Sequence, residues 1–135
     1  MLNIDHLRAA VLDTHVWVWM CAGDSRVASL ADFTGRGVIS AISVWEVAML
    51  EAKGRLVLEP SLKEWIDSNT RAPVELVPID PTICNQSCNL ADFHGDPADR
   101  LIVATAWALG LPLITADAKI IEWNRRHAVL QMIAI

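Results

Sequence analysis

The sequence predicts an α/β fold, in which a central parallel sheet carries helices on both faces. Three observations support this prediction. Short apolar runs alternate with longer helix-like segments along the 135-residue chain. The runs are nearly continuous, as expected of strands that are buried on both faces. Asp13 and Asp117 stand at the ends of two such runs, at the strand edge where α/β sheets bind their ligands.

The first half of the chain is predicted to contain two strands and three helices. The first strand is 9–13 (AAVLD), and Gly23 stands near the end of the helix that follows it. Ser43 is placed as the cap of a helix that stops at Gly54. The expected elements are a strand at 9–13, helices at 14–23 and 27–33, a strand at 38–43 and a helix at 44–54.

The second half continues the alternation. Ser61 and Glu64 have the spacing of a capping box, and Pro81 suits the first position of a helix. Neither linker nor repeat interrupts the chain, so 1–135 is expected to form one domain. The expected elements are helices at 61–69, 81–93, 96–110 and 117–125, and strands at 74–79, 112–115 and 128–135.

The composition favours a globular protein over a disordered, membrane or disulfide-rich secreted one. With 53% hydrophobic and 20% charged residues, the chain is expected to be globular. No apolar run approaches the ~18 residues of a membrane span, and the start lacks the pattern of a signal peptide. Three cysteines, an odd number, argue against a disulfide framework and favour a reducing cytoplasm.

The net charge of −5 and the scattered Lys and Arg residues argue against an extended, non-specific grip on duplex nucleic acid. They argue less against an enzyme that meets phosphate through a bound metal ion, because such a site requires acidic residues.

Four acidic residues lie within or at the edge of apolar segments: Asp13, Glu46, Asp99 and Asp117. Burying a carboxylate costs several kcal/mol unless a partner neutralises it. Four such residues suggest a shared positive partner, and a divalent cation is the simplest. Hard cations such as Mg²⁺ and Mn²⁺ prefer carboxylate oxygens, whereas zinc sites usually contain Cys or His.

Helix capping is an alternative role for most of these acids. Asp13 and Asp117 each follow a strand and can cap the next helix. Asp96 and Asp99 surround Pro97 and can start the helix that follows, so the metal chemistry needs only one of the two. Glu46 has the weakest structural alternative, because its helix neighbours are almost all apolar.

A metal ion held by these residues can activate water and stabilise the charge that develops on a phosphodiester. The residues therefore predict a metal-dependent nuclease.

Four segments also resemble the PIN-domain ribonucleases, specifically the VapC-like toxins of bacterial toxin–antitoxin pairs. They occur in the family's order and span most of the chain: LDTHVWVW (12–19), SAISVWEVA (40–48), HGDPADRLIVATA (94–106) and LITADAKI (113–120). Each segment is weak evidence alone, but the combination is specific.

The resemblance implies a site and partners. Asp13, Glu46, Asp99 and Asp117 match the family's acidic metal-binding residues, and Thr14, Asp96 and Thr115 match the polar residues that support them. It further implies Mg²⁺- or Mn²⁺-dependent cleavage of RNA, tRNA being one candidate, together with a homodimer and inhibition by a small antitoxin. Whether Asp96 is a ligand or only a helix cap is left open.

Two other functional classes are kept as alternatives. One is a carboxylate–metal phosphatase for small phosphoesters. A phosphatase of the D-x-D type, which forms an aspartyl-phosphate, is disfavoured because His15 occupies the third position of that motif. The other is a binding module that works only through its partner.

Two further residue types carry open alternatives. Arg100 is expected to form a salt bridge or to reach a phosphate. The tryptophans Trp17, Trp19, Trp45 and Trp107 lie in predicted core or interface segments. Base stacking is possible for them, and packing or a partner surface is the preferred role.

Overall fold

The computed structural model describes residues 3–135, and its centre is one five-stranded parallel sheet. The predicted fold class is confirmed. The strands are β1 (Ala9–Leu12), β2 (Arg36–Ser40), β3 (Val74–Val77), β4 (Leu113–Thr115) and β5 (Met132–Ala134).

Six α-helices of the described part flank the sheet, together with 3-10 turns at Ile4–His6 and Ser25–Leu30. In residues 3–135 we find no helix with the length and apolar character needed to span a bilayer. The helices are α1 (Thr14–Ala22), α2 (Ala41–Ala52), α3 (Leu62–Asn69), α4 (Pro81–Cys88), α5 (Pro97–Leu109) and α6 (Ala118–His127).

The strand order is β3-β2-β1-β4-β5, so β1 is the central strand. From β1 the chain adds β2 and β3 on one side, and then β4 and β5 on the other. Val11 of β1 pairs with Val38 of β2 and with Leu113 of β4. The order of the strands therefore reverses between β1 and β4, which is the point where open α/β sheets form a ligand crevice.

Two apolar cores lie on opposite faces of the sheet because side chains alternate along a strand. On one face, Val11 packs with Ile102 and Val103 of α5 and Trp123 of α6. On the other face, Leu12 belongs to the core of α1 and α2. Helices therefore cover both faces, as the nearly continuous apolar runs predict.

Several predicted boundaries are wrong. The strand predicted at 38–43 ends at Ser40, and Ser40 caps α2 by accepting a hydrogen bond from the Ile42 N–H. Apolar residues fill both the end of β2 and the first turn of α2, so hydrophobicity does not mark the transition. Ser43 lies inside the helix and does not cap it.

Three other segments are shorter than predicted. The helix predicted at 27–33 is the 3-10 segment Ser25–Leu30, capped by Asp24. The helix predicted at 81–93 ends at Cys88, because Leu90 and Phe93 enter the core from a loop. The last strand is limited to Met132–Ala134.

Candidate functional site

The carboxyl ends of β1 and β4 place two acidic residues at the reversal of strand order. Asp13 directly follows β1, and Asp117 lies two residues beyond the end of β4. The strand ends also begin helices: Asp13 is the N-cap of α1, and Asp117 is the N-cap of α6. Capping and a place in the crevice therefore occur together, and neither excludes the other.

Asp13 is the most buried of the four predicted acids, with only 5% of its surface exposed. Its Oδ1 accepts a hydrogen bond from the Thr14 N–H at 2.8 Å, and its Oδ2 accepts one from Thr115 Oγ1 at 2.6 Å. Burial raises the pKa of the Asp13 carboxyl, and these two hydrogen bonds oppose the rise. The nearby charge of Asp117 raises this pKa further.

Glu46 lies in the second turn of α2 and is half-buried. Its Oε1 accepts a hydrogen bond from Thr14 Oγ1 at 2.5 Å, and the same hydroxyl lies 2.8 Å from Ser43 Oγ. Burial raises the pKa of Glu46, and the hydrogen bond from Thr14 lowers it. The charges of three other acids raise this pKa further: Asp13, Asp99 and Asp96.

Asp99 lies in the first turn of α5, which begins after the N-cap Asp96. His94 Nε2 lies 2.8 Å from Asp99 Oδ2 and forms a hydrogen bond with it. Burial raises the pKa of Asp99, and the contact with His94 lowers it. The surrounding charges that raise this pKa are those of Asp96, Asp13 and Asp117.

Asp117 uses Oδ1 to cap α6, accepting hydrogen bonds from the N–H groups of Lys119 at 2.8 Å and Ile120 at 3.0 Å. Its own N–H donates to Thr115 Oγ1 at 3.0 Å. Thr115 therefore connects the two acids that stand at the ends of β1 and β4.

The supporting residues fall into two groups. Thr14 and Thr115 are buried, and each contacts an acid through its hydroxyl. Asp96 is exposed and caps α5, because its Oδ1 accepts a hydrogen bond from the Asp99 N–H at 3.2 Å. The structure thus gives Asp96 a role as a helix cap. Its negative charge also raises the pKa values of Glu46 and Asp99.

The chemistry of the four acids fits a hard divalent cation, since neighbouring carboxylate charges raise the pKa values of Asp13, Glu46 and Asp99, and every donor is a carboxylate oxygen. Their side chains are engaged with protein partners in this arrangement. Throughout residues 3–135, no three His, Cys, Asp or Glu side chains are gathered closely enough to hold an ion. The assignment of these acids as metal ligands therefore stays a prediction.

Two residues of this site were not predicted from sequence. The sequence does not single out His94, which precedes α5 and contacts Asp99. Ser43 was predicted to cap a helix, and instead contacts Thr14. The spacing carried a signal for Ser43, because it precedes Glu46 by three residues and shares its helix face.

Within residues 3–135, Arg100 does not form the salt bridge considered from sequence. Its guanidinium donates three hydrogen bonds to backbone carbonyls, at 2.8 to 3.0 Å. This arrangement fixes the loop that precedes α5 and so positions His94 beside Asp99. The three acceptors are the carbonyl oxygens of Ser87, Phe93 and His94.

The tryptophans divide between the core and the surface. Trp17 is 1% exposed and belongs to the core, as expected. Trp45, however, is 57% exposed, so packing within the chain does not explain it. Trp45 and Glu46 border a cavity of about 400 Å³. A cavity of about 1,090 Å³ lies elsewhere, along residues such as Arg8 and Glu75, and none of the four acids lines it.

Proteins of known family resemble this chain in sequence. A family model described as PIN domain matches residues 10–125. Ribonuclease VapC22 of Mycobacterium tuberculosis (strain ATCC 25618 / H37Rv) is 32% identical over 119 residues, which cover 84% of this chain and 91% of that protein.

Solved structures share the fold at lower identity. DNA-bound VapBC from Salmonella typhimurium superposes with a TM-score of 0.67 at 17% identity, covering 95% of this chain and 98% of that chain. A toxin–antitoxin complex from Klebsiella pneumoniae gives a TM-score of 0.62 at 19% identity, covering 82% of this chain and 88% of that chain.

Proposed function

Since the chain belongs to the PIN domain family, we propose that it is a metal-dependent endoribonuclease and the toxin of a toxin–antitoxin pair. The observation that carries the proposal is the carboxylate of Asp13, buried where the strand order reverses and close to the charges of other acids. A buried carboxylate in such surroundings is costly for folding alone. A catalytic role explains why the chain bears this cost.

In this proposal Asp13, Glu46, Asp99 and Asp117 hold Mg²⁺ or Mn²⁺. When bound, the cation supplies the positive charge that activates water and offsets the charge developing on the phosphodiester. The carboxylates cannot provide that charge themselves, and without a cation they repel the phosphate.

The protein's own contribution is to fix the positions of the carboxylates. Thr115 and the Thr14 N–H hold the two oxygens of Asp13, and the Thr14 hydroxyl orients Glu46. His94 holds Asp99 in the same way. Partners of this kind keep metal ligands in one orientation and are often worth roughly 10- to 100-fold in affinity or activity.

RNA is proposed as the substrate because the relative with 32% identity is named a ribonuclease. The overall charge of −5 is consistent with a site that meets phosphate through a cation. Structured RNAs, tRNA among them, are the first substrates to test.

The proposed partners follow from the structures that share the fold, which include a toxin–antitoxin complex. We expect a protein antitoxin that blocks the enzyme, and a homodimer. We also expect the chain, 1–135, to act as one nuclease domain in the cytoplasm. Its three free cysteines are compatible with that reducing compartment.

The decisive experiment measures cleavage of a pool of tRNA and other structured RNAs, with Mg²⁺ or Mn²⁺ and with EDTA. The parent protein should make discrete cuts only with a metal ion. Asp13→Asn and Glu46→Gln should reduce kcat/KM by more than the roughly 10- to 100-fold typical of losing a partner of a metal ligand. Both changes keep the size of the side chain and remove its charge.

Glu51→Gln is the matched control, because Glu51 lies on the same helix, is exposed, and receives the same chemical change. This variant should cut at the parental rate. Cuts that persist in Glu46→Gln would show that the site is assigned wrongly. Turnover of a chromogenic phosphomonoester without RNA cleavage would instead identify a phosphatase.

A further inference from the structure

We propose that Trp45 and the cavity beside it bind one unpaired base of the RNA, next to the phosphodiester that is cut at the acidic site. This inference rests on the proposed function, which it deepens by naming the part of the substrate that is recognised. Trp45 is thereby assigned as a residue that positions the substrate.

The first observation is the exposure of Trp45. The indole is 57% exposed, whereas Val47, two residues further along α2, is completely buried. A large aromatic side chain left in solvent has a free face on which another flat ring can stack. Trp45 is also directly adjacent in sequence to Glu46.

The second observation is the composition of the cavity. Its volume is about 400 Å³, at the lower end of the roughly 300–1,000 Å³ of small-molecule sites. Most of the surface that lines the cavity is apolar and suits the face of a base. The apolar residues that line it are Ile42, Met49, Pro97 and Ala98.

The third observation is the sign of the charge at the cavity. Its two ionisable residues, Glu46 and Asp96, are both acidic. They repel a phosphate or an acidic peptide, whereas a base is uncharged and carries N–H groups that donate to carboxylates. The charge therefore excludes the phosphate of a nucleotide, and the aromatic ring of Trp45 favours the flat base over the sugar.

The cavity borders the candidate active site, since Glu46 belongs to both. A base in the cavity therefore comes from a nucleotide at or beside the cut. Bases in a duplex are stacked on both faces and cannot enter. The enzyme should accordingly require a single-stranded loop or end, which is also where proteins read RNA sequence most directly.

The test begins with binding measured in EDTA, where cleavage is absent. The probe is a short, fluorescein-labelled, single-stranded RNA of mixed sequence, followed by fluorescence anisotropy. Trp45→Ala should weaken binding roughly 5- to 150-fold, the range found for one stacked base. Trp45→Phe should keep most of the affinity, and Trp45→Leu should lose it, because stacking requires a ring.

Trp107→Ala is the matched control. Trp107 is also exposed, at 37%, and lies eight residues beyond Asp99 on α5, or about 12 Å along the helix. This variant should bind like the parent. Equal affinity of the parent and Trp45→Ala in EDTA would overturn the inference.

The second part uses RNA cut by the parent enzyme, with an abasic nucleotide placed in turn at each position around the cut. At one position, the abasic nucleotide should raise KM in the parent but should have little further effect on KM in Trp45→Ala. The missing base and the missing indole each remove the same stacking contact. Additive losses at every position would contradict the inference.

The outcomes separate the two proposals. Trp45-dependent binding without any cleavage would support base binding and reject the nuclease. Cleavage that Trp45→Ala leaves unchanged would reject base binding but not the nuclease. If Trp45→Ala instead converts a dimer to a monomer in sedimentation and leaves RNA binding unchanged, the surface is a contact between two copies and the inference is wrong.

Discussion

Single residues at the acidic edge serve two purposes at once. Asp13 and Asp117 cap helices, as their position after a strand suggests, and they also place negative charge where the strand order reverses. Capping explains the presence of a carboxylate but not its burial to the extent seen for Asp13. The functional and structural explanations are therefore complementary.

The residue-scale prediction concerns Glu46→Gln in metal-free protein. The pKa of Glu46 is raised in the fold, above its ordinary value of 4.5, so the ionised carboxylate destabilises the folded state at neutral pH. The glutamine variant should therefore have the higher Tm at pH 7. As the pH falls through the raised pKa, the parent takes up a proton and the difference in Tm should shrink.

Thermal unfolding in EDTA across this pH range measures the effect, with Glu51→Gln as the control. Adding Mg²⁺ should then raise the Tm of the parent more than that of Glu46→Gln, because the ion binds the folded state through the carboxylates. A parent that is more stable than Glu46→Gln at pH 7 without metal would contradict the raised pKa.

The sequence singles out the four candidate acids because each interrupts or ends an apolar run. Their partners were harder to predict. His94 and Asp99 lie five residues apart, across the start of a helix, so their contact depends on the path of the loop. That path is set by the bonds from Arg100 to backbone carbonyls, which no local pattern in the sequence reveals.

At the scale of elements, helix starts control the site. Asp13, Asp96 and Asp117 are all N-caps, so the beginning of a helix also fixes the position of each carboxylate. The existence of these elements follows from hydrophobic runs and capping residues. Their boundaries do not, as the misplaced start of α2 shows: Ala41 and Ile42 suit either a strand or a helix by hydrophobicity.

The element-scale prediction separates the two roles of Asp96. Asp96→Asn keeps a side-chain oxygen that can cap α5, so the free energy of unfolding should change by no more than about 0.5 kcal/mol. Asp96→Ala removes the cap and should cost about 1 kcal/mol. Urea unfolding measures both values.

Cleavage by the same variants then assigns the role. If Asp96 is only a cap, Asp96→Asn should cut RNA within a few-fold of the parental rate. A loss as large as that of Asp13→Asn, in a protein of unchanged stability, would instead make Asp96 a metal ligand.

At the scale of the whole molecule, charge limits how the proposed RNA substrate can be held. The chain carries 11 Lys and Arg against 16 Asp and Glu. Near the acids, Lys119 and Arg126 line a cavity of about 360 Å³ with His94. Because so few basic side chains lie beside the site, we expect RNA binding to depend more on bases and a metal ion than on the phosphate backbone.

We therefore predict a weak dependence of RNA binding on salt. With two or three phosphate contacts, the slope of log K against log salt should be about −1.4 to −2.1, since each contact contributes about −0.7 on a single strand. Anisotropy titrations in EDTA at increasing KCl give this slope. Lys119→Ala should make it shallower by about 0.7.

Lys63→Ala is the control for this measurement, because Lys63 is exposed on α3 and pairs with Asp67. It should leave the slope unchanged. A slope of −5 or steeper would mean that a basic surface, such as one completed by a second subunit, carries the RNA.

The reversal of strand order also divides the proposed site between the two halves of the chain. Asp13 and Glu46 precede β3, whereas Asp99 and Asp117 follow it. During translation, the set of four carboxylates is therefore complete only after Asp117, which follows β4, has left the ribosome and β4 has paired with β1. An enzyme that attacks RNA would thus be harmless to the ribosome that is making it, and an antitoxin would need to act only on finished molecules.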